Sequence, residues 1–305
     1  MDKLTCMQAL VRVVEAGSFA EAARRMGVSA PMVTKYIGHL ETSLGSRLLN
    51  RSTHSLSLTD PGQAYYQRCV QLLEDLEEAE AAAGAQTTNS RGSLRMSVST
   101  DFGVDHLGPV LLEYSRQYPD VHIDVSVSNH LVDLIEEGFD LAVRITDQLR
   151  TNLVARKLAT AALVACASPA YLADHGTPRV PDDLQRHNCL TFSDGTLATE
   201  QWRFTRGGET SHIKASGTLR ATSNELLKLA ALQHQGVVLQ PTFNVSHELR
   251  SQQLIPLLSD YDAGALGIYI VYPHRKHQTV KVRSFIDTLV GRWGDDSDRD
   301  PFWSI

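Results

Sequence analysis

The side chains best suited to bonding with a large polar partner lie close together near the start of the sequence. Met32, Thr34 and Lys35 place a thioether, a hydroxyl and a cation within one short segment. A lysine can donate to guanine O6 and N7, a threonine can bond a base or touch a thymine methyl, and a methionine offers apolar contact. This set suits contact with DNA base edges, and ordinary solvated surface is the alternative.

Neighbouring residues suit contact with phosphate and sugar. Ser29 precedes a predicted helix N-terminus, where free N–H groups attract anions, and Arg51 and His54 add basic groups further on. Tyr36 can stack on sugar or phosphate, or it can be a half-buried core residue. The predicted DNA contacts are Ser29, Ala30, Met32, Thr34, Lys35, Tyr36, Arg51 and His54.

A second set of polar residues lies at predicted strand ends in the rest of the chain. Ser99, Thr100 and Asp101 follow one strand and lead into a helix, where hydroxyls and free N–H groups can hold a carboxylate. The charge of Asp101 could occupy that helix end itself, and a polar or cationic ligand is then the alternative. A satisfied loop residue is the alternative at every predicted ligand contact: Ser99, Thr100, Asp101, Phe102, Asn129, Arg144, Ser193, Thr222, Ser223 and Gln240.

The sequence lacks the motifs that would predict catalysis or metal binding. It contains no GxSxG, HExxH, Walker loop or GxGxxG. The cysteines are Cys6, Cys69, Cys166 and Cys189, and they show no CxxC or Cys/His spacing. We expect no enzyme activity, no metal and no cofactor, and we interpret Cys166 and Cys189 as small core residues.

Short helices would position the first set of side chains. Apolar spacing predicts a helix at 3–15, the capping box of Ser18 and Glu21 starts a second that extends to residue 26, and a third spans 29–45. Only a tight turn separates the second helix from the third. Such a pair, the second helix showing polar residues outward, is typical of a helix-turn-helix, and a solvated helical hairpin is the alternative.

A hairpin and a long helix follow. Alternation around a polar turn at 52–54 predicts a hairpin that would run along phosphates as a wing. From Pro61 a long helix is predicted, and a stripe recurs along it at spacings of four and three residues, as in a coiled coil. We predict a dimer through this stripe, which comprises Tyr65, Cys69, Leu72, Leu76 and Ala79.

From residue 94 the pattern changes to alternating strands and helices, which is typical of an α/β domain with a parallel sheet. The predicted strands are 94–99, 121–128, 140–146, 162–168, 236–241 and 267–273, and the predicted helices are 103–117, 131–138, 223–234 and 279–292. Residues 85–93 are a predicted hinge, and the acidic residues 293–305 are predicted to be a disordered tail.

Charge is distributed unevenly along the chain. The 305 residues carry a formal net charge of -6, yet residues 1–59 contain seven Lys or Arg against four Asp or Glu. A basic segment in an acidic chain favours a nucleic-acid partner. The N-terminus is a poor signal peptide and the longest apolar run, 158–167, is too short to cross a bilayer, so we expect a cytoplasmic protein without membrane contact.

A long stretch of the sequence resembles one protein family. Residues 10–62 read LVRVVEAGSFAEAARRMGVSAPMVTKYIGHLETSLGSRLLNRSTHSLSLTDPG, which is similar to the signature of LysR-type transcriptional regulators. The resemblance continues through YPDVHIDVSVSN, DLIEEGFDLAVRI, ACASPAYL and YPHRKH. The chain departs from the family pattern at Ala30 and Met32, where the family usually has Gln and Ala, and at Gln235 and Gln240 in QGVVLQP.

This resemblance implies the α/β fold class, with an N-terminal winged helix-turn-helix, a long linker helix and a two-lobed effector domain shaped like a periplasmic binding protein. The implied domains are 1–60 for DNA binding, 61–90 for the linker helix and hinge, and 91–292 for effector binding, with lobe 1 at about 91–160 and 266–292 and lobe 2 at about 161–265.

The implied function is control of bacterial transcription. The protein would bind double-stranded operator DNA as a homodimer or tetramer, paired antiparallel through the linker helix, in response to a small-molecule effector and without catalysis. The alternative is a solute-binding protein of the periplasmic type with no DNA role. That alternative would leave residues 1–60 unexplained.

Overall fold

The structure, a computed structural model, describes residues 1–51, 56–83, 90–129, 132–149, 152–193, 201–273 and 279–303. At 51, 74, 75 and 77–83 only the backbone is described. The chain divides into an N-terminal unit, Met1–Gly92, and a C-terminal unit, Ser93–Ile305.

The N-terminal unit is built from helices and a small antiparallel hairpin. Its elements are α1 Lys3–Ala16, α2 Phe19–Met26, α3 Ala30–Leu44, β1 Leu49–Arg51, β2 Leu56–Leu58 and α4 Asp60–Ala83. Gly17, Gly27 and Gly45 follow the first three helices with φ of 62°, 66° and 65°. Because glycine adopts this left-handed conformation without strain, each helix ends where the sequence predicts.

One apolar core holds these helices together. Cys6, Leu10 and Val13 of α1 are fully buried, and so are Val33 and Ile37 of α3. The buried residues of α3 recur at helical spacing, so the residues between them are turned to solvent. The predicted helix-turn-helix is confirmed.

The start of α4 depends on a threonine and a glycine. The Gly62 N–H donates to Thr59 Oγ1 at 3.0 Å, and that hydroxyl donates to the Arg47 carbonyl at 2.6 Å. A Cβ atom at Gly62 would collide with the Leu48 carbonyl oxygen. This close approach therefore requires glycine, and it fixes α4 against the chain that leads into β1.

The C-terminal unit is a sheet covered by helices. Its strands are β3 Gly92–Val98, β4 Val121–Val127, β5 Leu141–Thr146, β6 Val154–Ala167, β7 Cys189–Phe192, β8 Gln201–Arg206, β9 Glu209–Lys214, β10 Arg220–Ala221, β11 Val237–Pro241, β12 Ile255–Leu257 and β13 Ala265–Tyr272. Its helices are α5 Thr100–Phe102, α6 Gly108–Gln117, α7 Pro169–His175, α8 Asn224–Leu232, α9 Thr242–Arg250 and α10 Val280–Trp293, with a π turn at Gly103–Leu107 and a 3-10 helix at Pro181–Arg186.

The main sheet is mixed, whereas the alternation of elements predicts a parallel one. The strand order is β10-β7-β11-β6-β13-β5-β3-β4, with β12 also paired to β6 and with β8 and β9 forming a separate hairpin. β3 and β5 are parallel, as are β7 and β11, but β6 is antiparallel to both β11 and β13. β13 is antiparallel to both β5 and β6, and the local apolar pattern of each strand does not reveal these directions.

Two apolar cores lie along β6, and they define two lobes. Leu158 to Ala161 belong to the core of lobe 1, which also contains β3, β5 and α10. Ala165 to Ala167 belong to the cores of lobe 2, around β7, β11 and α8. β6 pairs with β13 up to Ala162 and with β11 from Leu163 onward. The chain therefore crosses between lobes at this pair of residues.

Two further predictions are wrong. A helix predicted at 131–138 is a series of turns at 134–138, because Asp133 accepts from the Ile135 and Glu136 N–H groups and Gly138, with φ of 73°, ends the segment. A disordered tail predicted at 293–305 is folded over 294–303, where Phe302 is buried and Asp300 accepts several hydrogen bonds. The acidic composition of 293–305 is typical of a disordered segment. It does not reveal that Phe302 is buried or that Asp300 accepts hydrogen bonds.

Candidate nucleic-acid interface and ligand site

The outward face of α3 carries the predicted base contacts. Met32, Thr34 and Lys35 are exposed, while Val33 and Ile37 on the opposite face are fully buried. Thr34 Oγ1 donates to the Ala30 carbonyl at 3.1 Å, so its oxygen remains able to accept. The three side chains thus form one exposed surface of mixed chemistry at the N-terminal half of the helix.

The flanking residues of α3 divide between surface and core. Ser29 is the exposed N-cap, and its hydroxyl makes no capping hydrogen bond, which leaves it available to a phosphate. Ala30 and Tyr36 are half-buried, and Tyr36 packs against the core of the unit. Arg51 lies at the end of β1 with only its backbone described, and His54 lies outside the described residues.

The arginines of α2 are tied to a carboxylate. Glu21 accepts from Arg24 at 2.9 and 2.8 Å and from Arg25 at 3.0 Å. These hydrogen bonds lower the pKa of Glu21 to about 2, because both guanidinium groups favour its charged form. Glu21 partly offsets the positive charge of α2.

The predicted dimer stripe of α4 is divided between the core of its own unit and the exposed surface. Cys69 is 0% exposed and Tyr65 packs against the same core, so these two residues hold α4 to its own unit. Burial raises the pKa of the Cys69 thiol to about 11. Leu72 is 53% exposed and Leu76 is half-buried, while the Ala79 side chain lies outside the described set. The prediction of a partner contact at Cys69 is therefore wrong, and Leu72 remains a candidate.

In the C-terminal unit, several predicted ligand contacts meet where lobe 1 faces the start of α8. The Asn224 side-chain amide donates to Asp101 Oδ2 at 2.7 Å. Asn129 Oδ1 accepts from the Thr100 N–H at 3.0 Å, and its Nδ2 donates to the Thr222 carbonyl at 3.3 Å. Two bridges therefore join the lobes at this point, and both end within 222–224.

Asp101 is a buried carboxylate next to a helix N-terminus. It is 6% exposed, and burial is the main cause that raises its pKa, against the opposing effects of Asn224 and of the cation of Lys228. Lys228 donates to Glu225 at 2.9 Å and to the Asn244 carbonyl at 3.0 Å. The anion position at the start of α8 is thus occupied by the protein itself.

Two further pairs of polar side chains are hydrogen-bonded in the C-terminal unit. One pair joins β5 to β3, and the other joins α9 to β11. Arg144 donates to Ser97 Oγ at 3.2 Å, and burial lowers the pKa of this guanidinium. Gln240 is fully buried and accepts from the Asn244 amide at 2.8 Å. In the described part of the chain, buried side-chain atoms that make no hydrogen bond are Ser99 Oγ, Asp101 Oδ1, Arg144 Nη2, Gln240 Nε2, Asn244 Oδ1 and Glu248 Oε2.

Three predicted ligand contacts have structural roles instead. Phe102 is fully buried in the core of lobe 1. Ser223 caps α8, because its hydroxyl accepts from the Leu226 N–H at 3.2 Å, and Ser193 accepts from Arg220 at 2.9 Å. Asn224, Lys228 and Asn244 were not predicted from the sequence. Asn224 lies at the start of the helix predicted at 223–234, and this position was the available signal.

Cysteine chemistry does not contribute to this site. Cys166 is fully buried, and Cys189 is buried with its thiol near the Leu184 carbonyl. Burial raises the pKa of both thiols, that of Cys189 to about 11. Thiols held protonated in this way are poor nucleophiles.

The described residues contain neither a metal-binding cluster nor a helix able to span a membrane. No set of three or more His, Cys, Asp or Glu side chains there is placed to hold a metal ion. No helix in the same ranges combines the length and the apolar character needed to cross a bilayer.

Comparison with known proteins matches both units. The family model described as "Bacterial regulatory helix-turn-helix protein, lysR family" matches residues 4–63, and the one described as "LysR substrate binding domain" matches residues 87–294. A match at 4–63 removes support from the alternative of a solute-binding protein.

Individual relatives align over most of their length. An uncharacterized HTH-type transcriptional regulator of Haemophilus influenzae is 35% identical over 92% of this chain and 98% of its own. The transcriptional activator TtdR of Escherichia coli is 30% identical, over 93% of this chain and 91% of its own. The structure of CrgA, a LysR-type transcriptional regulator from Neisseria meningitidis, is similar with a TM-score of 0.63 and 30% identity, over 97% of this chain and 99% of that one.

Proposed function

Because the chain belongs to the LysR family of bacterial transcriptional regulators, we propose specific roles for its two units. The chain is a DNA-binding regulator that responds to a small-molecule effector. Met32, Thr34 and Lys35 on α3 read base edges, and the interlobe site around Asp101 and Asn129 binds the effector. The exposed face of α3, opposite a buried apolar stripe, is the observation that carries the proposal.

The other predicted DNA contacts act on the backbone of the duplex. The Ser29 hydroxyl, which makes no capping hydrogen bond at the helix N-terminus, donates to a phosphate oxygen, and Arg51 and His54 contact phosphates from the wing. Ala30 allows close approach because it has no long side chain. Tyr36 is half-buried, so we assign it to packing with one edge near the sugar.

The effector contacts are Ser99, Thr100, Asn129, Arg144, Thr222 and Gln240, with Asp101 as a charged neighbour. The unbonded Nη2 of Arg144 and Nε2 of Gln240 can donate, and the unbonded Oδ1 of Asp101 can accept. A ligand with both an acceptor and a donor group fits these atoms best. A ligand that prefers one arrangement of the lobes shifts the population toward that arrangement.

Regulators of this family form oligomers, and exposed apolar residues support two contacts between copies of this chain. On α4, Leu72 is exposed and Leu76 half-buried. In the C-terminal unit, Leu112 is exposed on α6 and Leu229 is exposed on α8. We assign the first surface to a dimer and the second to a tetramer, because burying these leucines against a second copy removes apolar surface from water.

The protein has no enzymatic role in this proposal, and it works in the cytoplasm, where bacterial DNA is located. The test is binding of the full chain to the DNA upstream of its own gene, measured by fluorescence anisotropy beside a scrambled duplex of equal length. Binding of the native duplex should be tighter at every salt concentration. Equal affinity for both duplexes would contradict sequence-specific reading by α3.

The effector proposal has a separate test, because the ligand is defined only by chemistry. Amino acids and dicarboxylates are screened for a rise in the unfolding temperature of the chain, since a ligand that binds only the native state stabilises it. A positive compound is then titrated against Thr100→Val, which keeps the shape and removes the hydroxyl. Unchanged affinity in this variant and in Ser99→Ala would place the effector elsewhere.

A further inference from the structure

The segment that follows α10 holds the point where β6 crosses between the lobes. The Arg299 carbonyl accepts from the Thr160 N–H at 3.2 Å. Asp300 Oδ2 accepts from the Ala162 N–H at 2.9 Å and from Thr242 Oγ1 at 2.6 Å. Ala162 is the last residue of β6 that pairs with β13, and Thr242 follows β11 directly. One carboxylate oxygen therefore bonds β6 and the first residue of α9, directly after β11, at the lobe junction.

The same aspartate also fixes the turn that follows it. Asp300 Oδ1 accepts from the Phe302 N–H at 2.9 Å and from the Trp303 N–H at 3.1 Å. With both oxygens engaged, the two aromatic residues leave the junction in a defined direction. The turn is held by hydrogen bonds and does not rely on packing alone.

These two aromatic residues are anchored in different lobes. Phe302 is 7% exposed in the core of lobe 1, where its ring lies 6.0 Å from Phe102 and 4.9 Å from His106 between centroids. Trp303 packs against a core of lobe 2. Arg250, at the end of α9, donates to the Phe302 carbonyl at 2.6 Å. Phe302 and Trp303 are neighbours in the sequence, and they thus anchor one short segment in both lobes of the C-terminal unit.

We propose that residues 299–303 form an interlobe brace that sets the angle between the two walls of the effector site. Phe302 supports the wall that carries Asp101, through Phe102, and Asp300 supports the wall that follows β11, through Thr242. The proposal rests on the proposed effector site for its regulatory meaning. The brace lies beyond residue 294, where the match to the family's substrate-binding domain ends.

The physical consequence concerns how freely the lobes move. A hinge made of two chain crossings can bend if no further contact joins the two lobes across it. A ligand then selects among several angles between the lobes. A third connection across the hinge restricts those angles before any ligand binds. Loss of the brace should therefore loosen the interlobe contacts on the far side of the site, including the bridge from Asn129 to Thr222.

The test measures backbone hydrogen exchange in the full chain without ligand or DNA. The reporter is the Thr100 N–H, which donates to Asn129 Oδ1 at 3.0 Å and makes no hydrogen bond to the described residues of the brace. The variants are Asp300→Asn and Trp303→Ala, because neither residue contacts Phe102 or the helix of the reporter directly. We expect exchange at Thr100 to accelerate about tenfold in both variants, since local opening is limited by the contacts that resist it.

Asp298→Ala is the matched control. Asp298 directly precedes the brace, and its side chain accepts from Lys157 at 2.6 Å in an exposed ion pair. The variant removes this ion pair and leaves the contacts at the lobe junction in place. Thr100 should therefore exchange as in the wild type. Faster exchange at Ala162 with no change at Thr100 in either variant would overturn the proposal, because the segment would then act only locally. Equal acceleration by Asp298→Ala would overturn it as well.

The outcome of the hydrogen-exchange test does not depend on whether the proposed site binds an effector. The measurement contains no ligand, so a site that binds no effector leaves the exchange result unchanged. If Asp300→Asn lowers the yield of folded protein, Trp303→Ala tests the brace alone, because Asp300 and its hydrogen bonds to β6 remain. An unchanged Thr100 in that folded variant contradicts the brace.

Discussion

Asp101 of lobe 1 and Asn224 of lobe 2 are joined by a hydrogen bond of 2.7 Å between Oδ2 and Nδ2. The bond places a buried carboxylate at the N-terminus of α8, where free N–H groups and the helix dipole favour an anion. Above its raised pKa, Asp101 supplies a negative charge at this position before any ligand binds. A second anion at the same helix end would meet repulsion, which favours ligands that bring a donor to this position.

Stability should depend on the ionisation of Asp101. Burial raises its pKa above the ordinary value of 3.8, so the folded state holds the proton more tightly than the unfolded state. Stability then falls as pH rises from about 4 through the raised pKa, because unfolding releases the burial cost of the charge. Asp101→Asn should lack this decline, as measured by urea unfolding at several pH values between 4 and 8.

Asp105→Asn serves as the control for this comparison, since Asp105 is an exposed carboxylate on the adjoining π turn. Its variant should keep the pH dependence of the wild type. If Asp101→Asn follows the wild type at every pH, the carboxylate of Asp101 is not buried in solution.

Lys35→Ala should reduce discrimination at one base pair of the operator. A bidentate contact to guanine contributes about 1–3 kcal/mol of discrimination, and the variant should lose that preference. Anisotropy titrations with single-base operator variants measure the loss. Lys3→Ala, at the exposed start of α1, is the control and should keep the wild-type preference. Preserved discrimination in Lys35→Ala would assign base reading to other residues.

The double substitution Leu72→Glu with Leu76→Glu should produce monomers. Leu72 is exposed in the single chain, so a charge at this position should leave the fold of the N-terminal unit intact. The same charge should disrupt an apolar contact with a partner copy. Sedimentation velocity at micromolar concentration measures the change, and circular dichroism should show an unaltered helix content. A stable wild-type monomer under the same conditions would contradict the role of α4 in self-association.

Gly62→Ala should destabilise the N-terminal unit. The added methyl group collides with the Leu48 carbonyl, and such overpacking costs about 1–3 kcal/mol. Gly38→Ala in α3 is the matched control, because no heavy atom would contact its Cβ, and alanine favours a helix by about 0.5–1 kcal/mol. The midpoints of denaturant unfolding should move in opposite directions. A Gly62→Ala variant as stable as the wild type, or more stable, would show that Gly62 is not required for the close approach.

The N-terminal unit was largely predictable because its signals are local. Caps such as Ser18 and ending glycines such as Gly27 act within one helix, and the buried stripe of α3 is visible in the sequence. The division of the α4 stripe was not predictable, since Cys69 and Leu72 share one heptad pattern. Whether such a residue faces its own core or a partner depends on where α1 packs.

The C-terminal unit was less predictable because its decisive contacts join distant segments. The strand segments of β5 and β11 were found from their apolar residues, but the antiparallel direction of β6 depends on chain connections. At the site, Asp101 was identified, but its charge was expected at the N-terminus of the helix that follows it in the sequence. Its position at the start of α8 and its partners Asn224 and Lys228 were not predicted. The partners of a buried carboxylate are set by tertiary structure, and short-range patterns do not contain them.

The brace also determines when this protein can finish folding. Asp300 and Ala162, which it bonds, are 138 positions apart in the chain. The ribosome makes the N-terminus first, so the two lobes exist for some time before the last residues are added. Contacts of such sequence separation form slowly, and unfinished sheets expose apolar surface in the meantime. The N-terminal unit has its own core and can fold early, while a chain cut short by a few residues would carry a complete DNA-reading unit and an unfinished sensor.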